Sequence, residues 1–190
     1  VVKTEFRFRP IGVVHSPFKT KEDIDPRRNL NPHGFSRIKA ELEIFKPYAR
    51  GLKDVDGFSH LIVLFAFHQS RQKKLLVKPP LEARWRGVFS TRSPHRPNPI
   101  GLTVVRLLGR RGNILAVSGA DMLDGTPILD LKPYTRREIK RSVELGWLNR
   151  RRRSGRSGRV LSLPPASLRD PSLSKNPENR PSEARRTATD

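Results

Sequence analysis

Apolar and polar positions along this chain alternate with a period of two far more clearly than with a helical period. Ile38, Ala40, Leu42 and Ile44 are interleaved with Lys39, Glu41 and Glu43, which predicts a half-buried strand. Phe6, Phe8, Ile11, Val13 and Val14 are separated by Arg7, Arg9 and Gly12, which predicts a strand from Phe6 to His15 with Pro10 at an edge or bulge. Phe58 to Phe67 is a nearly continuous apolar run of strand length, expected to be buried on both faces, interrupted by His60 and ended by His68-Gln69. Val88-Phe89, Leu102 to Leu108 and Asn113 to Ser118 read as three further strands, the last following the turn Gly109 to Gly112. Pro47 to Leu52 fits a short helical turn, and Arg136 to Leu148 a weakly amphipathic helix with Val143, Leu145, Trp147 and Leu148 as its apolar residues. Strands and helices do not alternate, so a doubly wound sheet is disfavoured and an antiparallel barrel or sandwich expected.

The connections between these elements carry the polar chemistry. Lys21 to Gly34 is a long excursion without periodicity that holds Asp25-Pro26-Arg27-Arg28-Asn29; a loop of this length is functional or disordered. Between Val88-Phe89 and Leu102, the three prolines Pro94, Pro97 and Pro99 stiffen a loop bearing Arg92, His95, Arg96 and Asn98. Such a loop suits an anionic or hydrogen-bonding ligand, and equally a basic surface turn; the residues leave both readings open. His60, inside a core strand, is expected to be structural. His68-Gln69, where a buried strand surfaces, is better placed for a ligand. Asp124-Gly125 is a hairpin-type turn signal whose backbone N–H groups can meet a ligand, with a plain tight turn as the default.

Charge narrows the partner class. The net charge is +21; residues 150–190 hold 11 basic and four acidic side chains, a net +7, which leaves +14 on residues 1–149. The excess therefore belongs to the folded part as well as the tail, and favours a nucleic-acid partner. Residues 1–149 are expected to form one domain. Residues 150–190, which open with four consecutive arginines and contain no aromatic residue, are expected to be a disordered basic tail. With no cysteine there is no disulfide framework and no thiolate chemistry, in keeping with a cytoplasmic protein. No apolar run approaches a membrane span, and the opening Val-Val-Lys-Thr-Glu-Phe-Arg is unlike a secretory leader, with Val1 pointing to a trimmed or processed start. Rossmann, P-loop, H-E-x-x-H and G-x-S-x-G motifs are all lacking, and the five histidines are too scattered to indicate a metal site.

Four stretches in fixed order nonetheless resemble one family. Gly87 to Leu102 (Gly-Val-Phe-Ser-Thr-Arg-Ser-Pro-His-Arg-Pro-Asn-Pro-Ile-Gly-Leu) is similar to the signature loop of the TsaA-like family, whose characterised members are TrmO tRNA methyltransferases. Ile11 to Pro17, Gly57 to Gln69, and Asp124-Gly125-Thr126-Pro127 running to Lys132-Pro133-Tyr134 fit the same family, and the likeness covers about Phe6 to Leu148. Arg28 stands where many members carry Gln. The resemblance implies an all-β fold, a single-sheet antiparallel β-barrel with short helical segments. It also implies S-adenosylmethionine as cofactor, a homodimer whose interface helps form the site, and methylation of N6 of threonylcarbamoyl-adenosine beside the tRNA anticodon. Carried over by position, the cofactor contacts are Pro26, Arg27, Arg28, His68, Gln69, Arg92, Leu102, Asp124, Gly125, Thr126 and Pro127. Arg92 suits the donor's carboxylate, and Asp124 its ammonium or a ribose hydroxyl. Arg96 and Arg27 are the expected RNA contacts. His95 and Asp124 are both candidates for a general base, and the sequence does not choose between them. Two other readings remain: a non-catalytic basic RNA- or nucleotide-binding domain, and an S-adenosylmethionine-dependent enzyme with another acceptor.

Overall fold

The computed structural model describes residues 6–25, 34–80, 82–140 and 142–148. The tail expected over 150–190 and the Pro26-Arg27-Arg28 stretch lie outside them. The chain divides into two units, Val1–Lys140 and Arg141–Asp190. In the second, Gly146–Leu148 forms a single 3-10 turn.

The first unit is mostly sheet with few helices. Its strands are β1 (Gly12–His15), β2 (Lys39–Ile44), β3 (His60–Ala66), β4 (Leu76–Val77), β5 (Arg86–Gly87), β6 (Ile100–Arg111), β7 (Ile114–Ser118) and β8 (Pro127–Pro133). Six of them pair antiparallel in the cyclic order β1-β2-β7-β6-β3-β8, and β8 returns to β1, so the sheet closes on itself. The pair β4 and β5 forms a separate small ladder. Irregular register at Leu64/Phe65 on β3 and at Leu107/Gly109 on β6 bends the strands, as closure requires.

The alternation in the sequence explains the core. Val14, Leu42, Ile44, Leu61, Val63, Val105, Leu115, Val117 and Ile128 point into the ring and are fully buried. Two glycines let strands approach closely. A Cβ on Gly12 would collide with the Glu43 carbonyl oxygen, and one on Gly101 with the Phe65 ring.

Several expected elements differ. The strand foreseen over Phe6 to His15 begins only at Gly12; Phe6 and Phe8 are 74% and 67% exposed. Ile11 still donates to the Ile128 carbonyl and accepts the Phe45 N–H, but Pro10 has no N–H to carry the pairing further back. The run around β3 is not buried on both faces: Ile62 and Leu64 face outward and are half-buried, because the ring interior admits alternate residues only. His60 is half-buried at the far end of β3, with its Nδ1 2.9 Å from Ser59 Oγ, rather than inside the core. Val88 and Phe89 form a 3-10 turn, not a strand; Val88 is buried and Phe89 is 76% exposed. No α-helix forms over Arg136 to Leu148 among the described residues. A four-residue helix α1 (Lys21–Ile24) does form in the excursion read as patternless. Its first turn is fixed by Asp23, whose Oδ2 accepts the backbone N–H groups of Lys19 and Thr20 at 2.8 Å each.

Candidate functional site

Closure of the ring gathers the motif-bearing segments at one end. β1 ends at His15 beside the start of β8; Ala66, ending β3, faces Ile100, which opens β6; and Lys39, opening β2, faces Ser118, which ends β7. The loops after β1, β3, β5 and β7 therefore meet at a single rim.

The loop after β3 supplies His68 and Gln69. A tight turn, with the His68 N–H donating to the Ala66 carbonyl at 2.8 Å, lifts them out of the sheet. They line a cleft of about 510 Å³ together with Lys21, Arg71, Gln72 and His95. Lys21 reaches it from α1, its Nζ donating to the Gln69 carbonyl at 3.1 Å.

The loop before β6 is held by its own side chains as well as its prolines. The Thr91 hydroxyl donates to the Val88 carbonyl at 2.8 Å. Arg96 Nη1 donates to the carbonyls of Thr91 and Ser93, both at 3.2 Å. The Pro99 carbonyl accepts the Phe67 N–H at 2.8 Å, docking the loop on the end of β3. Arg96, expected to face RNA, thus turns at least one nitrogen inward as a brace. His95 Nδ1 lies 2.9 Å from Ser70 Oγ. Burial, then the charges of Lys74 and Lys21, push the His95 pKa below the usual histidine value, so its ring is neutral at physiological pH.

The Asp124 turn closes the rim from the side of β1. Gly125 takes a φ of 74°, which favours glycine. Thr126 is buried, and Pro127 opens β8 opposite Val13. Asp124 Oδ1 accepts the Ser16 N–H at 3.0 Å, and Lys19 Nζ lies 2.7 Å from Oδ2. The Lys19 hydrogen bond first, then that from Ser16, hold its carboxyl below the usual carboxylate value. Leu102 lies elsewhere: its side chain stands on the outer face of β6 opposite Leu64, 48% exposed, and does not line the cleft.

The structure brings His68 and Gln69, expected at the cofactor, and His95, a candidate base, together in one cleft. Sequence reasoning missed Lys21, Ser70, Arg71 and Gln72, whose polar stretches carry no pattern. Asp121, between the fully buried Ala120 and Met122, keeps its Oδ1 out of solvent and does not line the cleft.

The model of the tRNA-methyltransferase O N-terminal domain matches residues 13–138. The chain is 44% identical over 144 residues to a probable S-adenosyl-L-methionine-binding protein of Pyrococcus abyssi, covering 75% of this chain and 76% of that one. It is 48% identical over 127 residues to an S-adenosyl-L-methionine-binding protein of Archaeoglobus fulgidus, covering 67% and 88%. A tRNA (adenine(37)-N6)-methyltransferase of Mus musculus is 42% identical over 128 residues, covering 66% of this chain and 30% of the mouse protein. The crystal structure of TrmO from Pseudomonas aeruginosa superposes with a TM-score of 0.61 at 35% identity, over 75% of this chain and 62% of that one. The chain thus spans less than two thirds of the solved structure and under a third of the mouse enzyme. With two thirds of its length matched by one domain model, on a rim assembled from that domain's motif stretches, the chain belongs to the tRNA-methyltransferase O N-terminal domain family.

Proposed function

We propose that this chain transfers a methyl group from S-adenosylmethionine to N6 of the adenine at position 37 of tRNA, with threonylcarbamoyl-adenosine as the acceptor nucleoside. The observation that carries this reading is the meeting of the family's motif stretches at one rim, around a cleft that holds His68, Gln69 and His95. Relatives named for S-adenosylmethionine binding and for the tRNA reaction support it.

The residues at the rim fit the donor. Among the described residues no salt bridge includes Arg92, so its guanidinium is open to a carboxylate. The N–H groups of Asp124, Gly125 and Thr126 already donate to the carbonyls of Phe18, Val14 and Leu123, so the turn meets a ligand through carbonyl oxygens rather than through N–H donors. The cleft volume falls within the roughly 300–1,000 Å³ of small-molecule sites. Arg28, Arg27 and Pro26 are assigned to the same ligand by position alone. Bound S-adenosylmethionine supplies an electrophilic methyl carbon on a positively charged sulfur.

The chain's own part is positioning and proton removal. A braced loop holds its polar groups without paying much ordering entropy, which favours an in-line approach of donor and acceptor. Of the two candidate bases, His95 is the better suited: its ring is neutral, oriented through Nδ1 by Ser70, and exposed to the cleft. Asp124 is less suited, because Lys19 keeps it ionised and weakly basic. Lys21 and Arg71 at the cleft, with Lys74 close by, attract the phosphates of a single-stranded anticodon loop.

We read the closed ring as a β-barrel scaffold and residues 1–149 as the working domain, with the basic 150–190 tail adding sequence-independent attraction to phosphates. The outer face of β3 and β6, where Ile62 opposes Val104 and Leu64 opposes Leu102, is an exposed aliphatic patch suited to a second copy of the chain. A homodimer through this face gives Leu102 a place at the site. No helix among the described residues is long and apolar enough to cross a membrane. The reading places the protein in the cytoplasm with its tRNA.

The test is mass spectrometry of tRNA nucleosides after incubation with the protein and isotope-labelled donor. Label on N6 of threonylcarbamoyl-adenosine is expected. Label on unmodified adenosine alone, or on no nucleoside, would refute the acceptor assignment.

A further inference from the structure

The β4–β5 ladder stands outside the closed ring, and the reading above gives it no role. Leu76 pairs with Gly87 and Val77 with Arg86. One side of the ladder is seated on the protein, where Val77 and Val88 are buried. The other side is open. Leu76 is 60% exposed and Trp85 64%, and the Phe89 ring just past Gly87 also stands in water. A Cβ on Gly87 would meet nothing within 4 Å, so open space lies over the ladder at that point. Neither Trp85 nor Phe89 packs against another ring among the described residues. Large apolar side chains gathered in one place, rather than scattered singly, mark an interaction surface.

Charge says what the partner is. From Arg71 to Arg92 the chain holds seven basic residues and one acid, Glu82. Glu82 is itself taken by Arg86, at 3.4 Å. Lys73, Lys78 and Arg84 are exposed, and among the described residues no salt bridge includes them. A second copy docked on this face about a twofold axis would set cations against cations. A polyanion is favoured instead, and exposed rings flanked by cations are the make-up of a single-stranded nucleic-acid surface: the rings stack bases and the cations track phosphates. A duplex would offer its phosphates but keep its base faces covered. Position agrees with this. Arg71 lines the cleft, and the Lys74 N–H donates to the His95 carbonyl at 3.3 Å, so β4 leads directly away from the cleft wall.

We propose that the open side of the β4–β5 ladder is a stacking platform for unpaired bases of the tRNA anticodon loop, those beside the nucleotide that enters the cleft. Trp85 and Phe89 stack the bases, and Lys73, Lys78 and Arg84 hold the intervening phosphates. Leu76 supplies an apolar floor, and the bare backbone at Gly87 lets a base come close to it. This rests on the tRNA reading and adds to it a surface that recognises the loop by its base faces, separately from the cofactor cleft.

The test is fluorescence anisotropy on the full chain with a labelled RNA hairpin comprising the anticodon stem and loop. Trp85→Ala and Phe89→Ala should each weaken binding about tenfold, and Trp85→Phe, which keeps a ring, by less than about threefold. The slope of log K against log [salt] should be unchanged in the alanine variants and shallower by about one unit in Lys78→Gln. Affinity for S-adenosylmethionine, by calorimetry, should be the same in all of them. Equal RNA affinity in the wild type and both alanine variants overturns the proposal. So does a parallel loss of S-adenosylmethionine affinity, which marks a merely structural role. A dimer that becomes a monomer in Trp85→Ala, by sedimentation, gives the face to a second copy and overturns it as well. Should the alanine variants not fold, the wild type alone decides: making the loop nucleotides other than the acceptor abasic should weaken binding about tenfold, and equal affinity overturns the platform. Failure of the wild type to bind the hairpin at all overturns the tRNA reading itself, an outcome distinct from binding that ignores the loop bases.

Discussion

Lys19 and Asp124, 105 positions apart, are joined at 2.7 Å, and the same carboxylate receives the Ser16 N–H through its other oxygen. The end of β1 is thereby stapled to the turn that opens β8, on the rim where the site assembles. The stretch after β1 also leads into α1 and Lys21, so this one acid helps to set the geometry of the cleft wall.

Replacing Asp124 separates its two bonds. Asp124→Asn keeps an oxygen for Ser16 and loses the charge for Lys19; the pair is partly exposed, so the cost should be well under 1 kcal/mol. Asp124→Ala loses both and should cost on the order of 1–2 kcal/mol by urea denaturation. The native carboxyl is held below its usual value of 3.8, so its contribution is complete above that value and lost as pH falls through the lower folded pKa. Equal stability of the alanine and asparagine variants would show that the Ser16 bond contributes nothing.

Two glycines separate backbone clashes from side-chain clashes. In Gly101→Ala the new methyl meets the Phe65 ring, which packs edge-on against Phe67 with ring centroids 5.1 Å apart. The rings can shift, so about 1–3 kcal/mol is expected. The shift passes through Phe67 to His68, and ligand affinity should fall with it. In Gly12→Ala the methyl meets the Glu43 carbonyl oxygen, a backbone atom in a ladder that cannot yield locally. Gly12→Ala should therefore be the more destabilising of the two; the reverse order would contradict the packing described.

The parts that were legible in the sequence and those that were not differ for physical reasons. The alternation in β2 was legible because one face of that strand meets the core and the other meets water. The aliphatic run at β3 was misread as doubly buried, since a sequence cannot distinguish an outer face covered by its own chain from one left open. Val88 and Phe89 have strand-like residues, yet the chain curls there: the Val88 N–H makes the last bond beside the β4–β5 ladder, to the Leu75 carbonyl, and the Val88 carbonyl turns back to the Thr91 N–H. The loop with its three prolines was legible as rigid, but the Arg96 brace was not, because a basic side chain reads as solvent-facing until its acceptors are placed. Asp121 left no trace at all. A single acid between apolar residues reads as a loop, and only the folded packing takes its Oδ1 out of solvent.

Arg96 offers a test of brace against phosphate contact. If its main task is to hold the Thr91 and Ser93 carbonyls, Arg96→Lys keeps the charge and loses the planar fork, so S-adenosylmethionine binding should weaken several-fold. The dependence of tRNA affinity on salt should then stay the same, measured as the slope of log K against log [salt]. A phosphate contact predicts the opposite for Arg96→Gln: a shallower slope by about one unit with cofactor binding intact.

His95 links the cleft to pH. Burial and the charges of Lys74 and Lys21 disfavour its protonated form in the folded chain, whereas the unfolded chain takes up a proton near 6.5. Between the lowered folded pKa and 6.5 the unfolded state binds more protons, so stability rises with pH across that window and falls as the solution is acidified. The carboxylates of the protein also respond to acid, and a variant isolates the histidine. The stability difference between wild type and His95→Gln should be constant above about pH 7.5 and should shift against the wild type as pH drops below about 6.5. Lys74→Met removes one of the two repelling charges and should move the onset of that shift towards a lower degree of perturbation, with the His95 pKa closer to its ordinary value by NMR titration. If instead the imidazole titrates well above neutrality in the wild type, it is mostly charged at working pH, it offers no acceptor nitrogen, and its candidacy as the base is lost.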